Sequence, residues 1–208
     1  MSVYFGGSKA KELYFQGRKI REAWYEGRKV YVTESSGKPV EVIPGDLSKY
    51  AVAGWLKDKL TEYGEDYATV TELPFDLDTR HASGLVQLFR GYVSLTSVPP
   101  MNTSNVTDMS GMFAQCQSLT SVPPMDTSNV TDMSGMFSVC QSLASLPDLD
   151  ASKATDTRNM FMWSHQLTDG SVCLIREDGT KPPSRDDMIK YSGLTREPFF
   201  TPDGKPID

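Results

Sequence analysis

The sequence predicts an α/β repeat protein: a solenoid whose unit is a short strand plus a short helix, flanked by a small N-terminal β-meander and a C-terminal α+β cap. Three observations predict it. Residues 95–118 and 119–142 are nearly identical blocks of 24 residues. Inside each block, apolar residues recur at helical spacing behind a short apolar segment that ends in two prolines. Ahead of them, residues 4–31 hold three near-copies of a shorter aromatic-glycine-basic pattern.

Residues 1–45 are the expected meander. Its copies read Tyr4-Phe5-Gly6-Gly7-Ser8-Lys9, Tyr14-Phe15-Gln16-Gly17-Arg18-Lys19 and Trp24-Tyr25-Glu26-Gly27-Arg28-Lys29. Aromatic pairs suit a pleated surface, and glycine supplies the positive φ of a tight hairpin turn. So small a sheet cannot bury both faces unaided, so it either docks on a partner or another copy, or caps the solenoid. Arg18, Lys19, Trp24, Arg28 and Lys29 are the docking candidates. Residues 46–70 are a capping helix and linker. Between Asp46 and Tyr63, Val52, Leu56, Leu60 and Tyr63 share a face, Trp55 sits beside it as a core aromatic, and Gly64 is the stop.

Residues 71–167 hold about four repeats. Two are the near-identical blocks, a degenerate third runs from Leu143 to about Gln166, and an earlier one is recovered from Thr71 to Ser94 by placing Phe89 under Phe113. Met109, Met112, Phe113 and Cys116 follow the i, i+3, i+4, i+7 pattern of one helix face, with Thr107 or Asp108 as N-cap. Leu119 to Val122 is extended and stopped by Pro123-Pro124, since proline cannot donate to a ladder. Stacking brings equivalents into register, including Phe89, Phe113, Phe137 and Phe161 as one core ladder, and Cys116 with Cys140 as buried thiols.

The run from Pro124 through Asp126-Thr-Ser-Asn-Val-Thr-Asp-Met-Ser-Gly-Met-Phe137 to Cys140 and Ser142-Leu143 resembles the repeat of BspA-like leucine-rich-repeat surface proteins. The resemblance implies a leucine-rich-repeat-like solenoid, a bacterial or phage source, and a role in attachment or protein binding without enzymatic activity. The run Phe15-Gln-Gly-Arg-Lys-Ile and its copy Trp24-Tyr-Glu-Gly-Arg-Lys-Val are similar to segments of phage and prophage tail-associated proteins.

Residues 168–208 are the expected cap. Ser171 to Arg176 reads as a strand into a turn, Ser184 starts a short helix through Met188, Ile189 and Tyr191, and Gly193 stops it. Phe199 and Phe200 either help close the solenoid or anchor a partner.

Composition narrows the function. Net charge is −6, but residues 1–31 carry seven Lys/Arg against three Asp/Glu, which makes that end basic and the remainder acidic. An acidic chain lacks the phosphate-neutralising charge of a nucleic-acid binder. Three cysteines and two histidines offer no zinc spacing, nucleophile motif or phosphate loop, so we expect no enzyme, no cofactor and no metal. The start lacks the pattern of a secretory signal, and no stretch is long and apolar enough to insert in a membrane. The expected product is therefore made in the bacterial cytoplasm and carried in a virion tail, the alternative being the bacterial cell surface. Partners would be other tail proteins and a host surface protein or glycan, with homo-oligomers possible.

Two sets of residues are candidates for the contact. One is the in-register polar stripe of Asn102, Ser104 and Asn105 and of Asp126, Ser128 and Asn129, which either reads a ligand or bonds its own turns. The other is Trp163 with His165, where the degenerate repeat departs from the pattern.

Overall fold

The structure is a computed structural model that describes residues 38–45, 47–184 and 186–207, together with the strand backbones lying between residues 4 and 33. In that N-terminal part β1 (Tyr4–Phe5) pairs antiparallel with β2 (Ser8–Lys9), and β3 (Leu13–Phe15), β4 (Arg18–Tyr25) and β5 (Arg28–Thr33) form an antiparallel sheet in chain order. Its registers set Tyr14 opposite Lys19 and Trp24 opposite Lys29.

Farther on, β6 (Val40–Val42) lies parallel to β7 (Asp76–Asp78), and α1 spans Val52–Glu62. Val52, Leu56 and Leu60 of α1 are buried, and Gly64 beyond it takes φ +77°. Glycine adopts that left-handed turn without the Cβ penalty. The helix starts later than the residues from Asp46 suggest, and its N-cap, Ala51, makes no side-chain cap bond.

The expected solenoid of strand-plus-helix units is not what the chain forms. Among the described residues the single α-helix is α1, outside the repeats, and no repeat contains a helix. The repeats are mostly turns, and isolated parallel bridges join Gly84, Asp108, Asp132, Asp156 and Ser184. The reason lies in φ. Gly111 and Gln115 are left-handed, at +61° and +65°, so the backbone from Met109 to Cys116 cannot run as a right-handed helix. Two successive tight turns put the same four side chains inward.

These turns satisfy the backbone in an alternating way. The N–H groups of Met112, Ala114 and Cys116 donate three residues back, to Met109, Gly111 and Phe113. Those of Met109, Gly111, Phe113 and Gln115 donate to the carbonyls of Asp132, Ser134, Met136 and Ser138 in the next repeat, at 2.8–2.9 Å. No donor of the segment is left over, which a buried backbone requires. The same pattern joins residues 85–91 to the second repeat, 133–139 to 156–162, and 157–163 to 184–190.

We call each such level a layer: layer 1 is residues 71–94, layers 2 to 4 are the blocks from 95, 119 and 143, and layer 5 follows from 171. Left-handed residues mark two positions in every layer. The first row is Gln87, Gly111, Gly135, Asn159 and Asp187; the second is Gly91, Gln115, Val139, Trp163 and Tyr191. The expected C-terminal α+β cap is thus corrected as well: its helix is another pair of turns, in which Asp187 and Tyr191 are left-handed. On the opposite side the extended segments form strands at both ends of the stack: β7 lies in layer 1, and farther on β8 (Leu149–Asp150), β9 (Leu174–Ile175) and β10 (Phe199–Phe200) pair in parallel.

The core runs along the stack. Phe89, Phe113, Phe137 and Phe161 are fully buried, with ring centroids 5.5, 5.4 and 6.0 Å apart and planes within 11° of parallel. Met109, Met112, Met133, Met136 and Met160 pack beside them, a set of flexible side chains suited to filling gaps between offset rings.

Candidate interaction surface

The polar stripe is held by its own turns. Asn102 Oδ1 accepts from the Ser104 amide at 3.1 Å and its hydroxyl at 2.8 Å, and Asp126 Oδ1 does the same for Ser128 at 3.1 and 2.6 Å. Asn105 Nδ2 donates to Arg80 O and Asn129 Nδ2 to Ser104 O, tying each layer to the one before it. Lys153 Nζ donates to Asn129 Oδ1 at 2.6 Å. The Ser128 hydrogen bonds hold the Asp126 carboxyl below its ordinary value. These side chains lie in register along one face and spend most of their capacity on turn and inter-layer bonds.

Trp163 and His165 do come together, with rings edge to face at 5.8 Å. Tyr191 of layer 5 joins them, stacked on Trp163 at 4.3 Å between centroids and 24° between planes. Trp163 is 41% exposed and Tyr191 55%, an aromatic corner that does not belong to the core. Sequence reasoning missed Tyr191, because no repeat alignment sets it over Trp163. Of Arg18, Lys19, Trp24, Arg28 and Lys29 the structure describes only the backbone, so their side-chain docking role lies outside the described residues.

A second feature absent from the sequence expectations is a groove of about 530 Å³ on the outer side of the turns. It crosses layers 1 to 4, between the two left-handed rows, with Gly111 and Gly135 in its lining and Arg90 and Arg158 toward its two ends. A Cβ added at Gly135 would meet nothing within 4 Å, so the groove is open there. Neutral polar groups, among them Gln87, Gln115, Ser134 and Asn159, make much of its wall. The sequence signal was available in the glycine that recurs between Ser110 and Met112 and again between Ser134 and Met136, although only Gly135 is open, since Gln87 Cγ lies 3.2 Å from where a Cβ at Gly111 would stand.

The thiols serve the stack. Cys116 Sγ donates to Phe89 O at 3.0 Å and Cys140 Sγ to Phe113 O at 3.1 Å, the place that Ser164 Oγ takes toward Phe137 O at 2.6 Å. Burial pushes the Cys116 thiol up to about 12 and Cys140 well above its ordinary value, so neither is a thiolate near neutral pH. Among the described residues no group of three His, Cys, Asp or Glu is placed to hold a metal ion, and no helix is long and apolar enough to cross a membrane.

No curated protein and no solved structure matches the chain. One family does match over part of it: residues 76–171, from β7 to the start of layer 5, fit the family described as Mycoplasma protein of unknown function, DUF285.

Proposed function

We propose that this chain is a non-enzymatic attachment protein of a phage or prophage tail, which contacts the host surface through its stacked repeats and other tail proteins through its N-terminal strands. The observation that carries the binding role is the in-register outer face: four layers line one groove, and layers 4 and 5 carry an exposed aromatic corner. Regular arrays of this kind give one long surface from few residue types.

The tail setting rests on the likeness of the Gly-Arg-Lys hairpins to tail-associated segments. A second setting, an adhesin on the bacterial surface, is favoured by the likeness of residues 124–143 to BspA-like surface repeats. Mass spectrometry of gradient-purified particles from an induced culture separates the two. Stoichiometric enrichment in particles is the result we expect; absence from particles with recovery in the cell-surface fraction contradicts the tail assignment and supports the adhesin.

A further inference from the structure

We propose that the turn edge of layer 5, at the far end of the stack, is a self-association surface that binds the same edge of a second copy across a two-fold axis. This goes beyond the attachment reading and is independent of whether the protein sits in a tail or on a cell.

The two ends of the stack are finished differently. At the first, β6 lies beside β7, and Val52, Leu56 and Leu60 of α1 are buried in one core with Leu85 and Leu88 of layer 1. Val86 is buried there, although later layers put Ser110, Ser134, Arg158 and Asp186 at its position. At the far end only the strand side is finished: β10 lies beside β9, and the chain folds back on β10, where the Ile207 amide donates to Phe199 O. Among the described residues no helix covers the turns of layer 5. Phe161 is fully buried, whereas Ile189, next in the same ladder, is only partly buried. Tyr191 is more than half exposed even though Trp163 stacks on it.

Backbone chemistry defines what the open edge accepts. In layers 1 to 4 alternate turn amides donate to the layer that follows. In layer 5 the equivalent amides of Asp187, Ile189 and Tyr191 have no hydrogen-bond partner among the described residues. The carbonyls nearby are spent: those of Asp186, Met188 and Lys190 accept from layer 4, and those of Asp187 and Ile189 from the Lys190 and Ser192 amides. The edge is therefore a row of donors, and its partner must bring acceptors. Layer 1 of another copy does not qualify, because α1 closes that end.

A second layer 5 does qualify. Asp186 and Asp187 are exposed carboxylates beside the donor row, and Lys190 Nζ lies 3.2 Å from Asp187 Oδ1 with both side chains about half exposed. Residues 187, 189 and 191 are evenly spaced. A two-fold axis beside Ile189 thus sets Ile189 against Ile189, and the acidic pair of each copy against the Tyr191 amide and the Lys190 ammonium of the other. An isologous contact needs a patch that is its own complement in this way, and charge-assisted hydrogen bonds are the strong ones. Such a contact closes at two copies, which also protects an edge that would otherwise recruit other chains.

The end of one layer is a small patch, so the dimer should be weak, with a dissociation constant between about 1 and 100 µM. Sedimentation equilibrium of the full chain from about 5 to 500 µM spans that range. We expect a monomer–dimer equilibrium, and slower amide exchange at Asp187, Ile189 and Tyr191 as concentration rises. Lys190→Glu leaves the patch uniformly acidic, so like charges meet across the axis and association should weaken at least about tenfold. Tyr191→Gln copies Gln115, which this backbone holds at the same position with φ +65°, and should weaken it as well. Both variants should melt as the parent does when dilute. A monomer at the highest concentration, a species larger than a dimer, or a dimer that both variants leave intact overturns the proposal.

Discussion

Layers 3 and 5 of the stack share a backbone but little sequence. Layer 3 repeats layer 2 almost residue for residue, while Ser184 follows Asp156 by 28 residues where each earlier bridge spans 24. Both nevertheless carry the two left-handed residues, Gly135 with Val139 and Asp187 with Tyr191. In both, alternate residues carry the inter-layer bonds: the Phe137 amide of layer 3 donates to Met160 O, and Met188 O of layer 5 accepts from the Phe161 amide. A layer is therefore defined by where its backbone bonds go, and side-chain identity matters chiefly for how well the layer is filled.

The largest expected contrast lies in that filling. Phe137 is fully buried between two stacked neighbours, and Phe137→Ala should cost about 3–5 kcal/mol. Ile189, which holds the corresponding place in layer 5, is only partly buried, so Ile189→Ala should cost about 1–2 kcal/mol. Urea denaturation of the two variants measures the difference; equal losses would mean that layer 5 is as tightly packed as the centre.

Next in size is a backbone contact peculiar to the end. A Cβ at Gly193 would come 2.0 Å from Leu167 O and 2.5 Å from His165 O, both main-chain atoms that cannot step aside alone. Gly193→Ala should destabilise by about 1–3 kcal/mol and loosen layer 5 before the centre, visible as faster amide exchange at residues 157–163 than at 109–115. Uniform loosening would show that the layers open as one unit.

How much of this was legible in the sequence follows from the same residues. The stacking register was readable, because Phe113 and Phe137 repeat at a fixed distance and Phe89 and Phe161 extend the series. The turns were not, because Met109, Met112, Phe113 and Cys116 satisfy a helix face and a pair of left-handed turns equally well. Only Gly111 and Gly135 spoke for turns, and a single glycine is also tolerated in a helix at a cost of about 1 kcal/mol. The groove follows from the turns and so stayed hidden with them. Layer 5 stayed hidden because its insertion moves Met188 out of step with Met160, and the aromatic corner needed both layers at once.

Smaller effects test identity against geometry within the two near-identical layers. Thr103 Oγ1 donates to Asp126 O at 2.8 Å, whereas the buried Thr127 Oγ1 finds no partner among the described residues. Valine keeps the shape and removes the hydroxyl, so Thr103→Val should lose about 1 kcal/mol and Thr127→Val should gain up to about that much. Thermal melts of the pair decide it, and a loss at both positions would indicate a water bridging Thr127.

The smallest expected effect is in acid. Burial alone would raise the Asp108 carboxyl, but hydrogen bonds from Lys49, at 2.6 Å, and from Ser110 outweigh it and hold the group below 3.8. A depressed carboxylate contributes stability that is present above its unfolded value and is lost as pH falls through the lower folded one. Stability should therefore decline below about pH 4, and Asp108→Asn should flatten that slope while lowering stability near neutrality. Layer 5 has Ser184 at the same bridge and makes no such contribution. An unchanged slope in Asp108→Asn would assign the acid response to other aspartates held low, such as Asp78 and Asp178.

The most direct test of the turn-built stack is the backbone φ of Gln115, Val139 and Trp163, measured by solution NMR from the three-bond HN–Hα couplings together with the Cα chemical shifts. The account predicts left-handed values at all three, near +65°, +63° and +64°, flanked by right-handed residues. An uninterrupted right-handed helical signature from Met109 to Cys116 and from Met133 to Cys140 would contradict it.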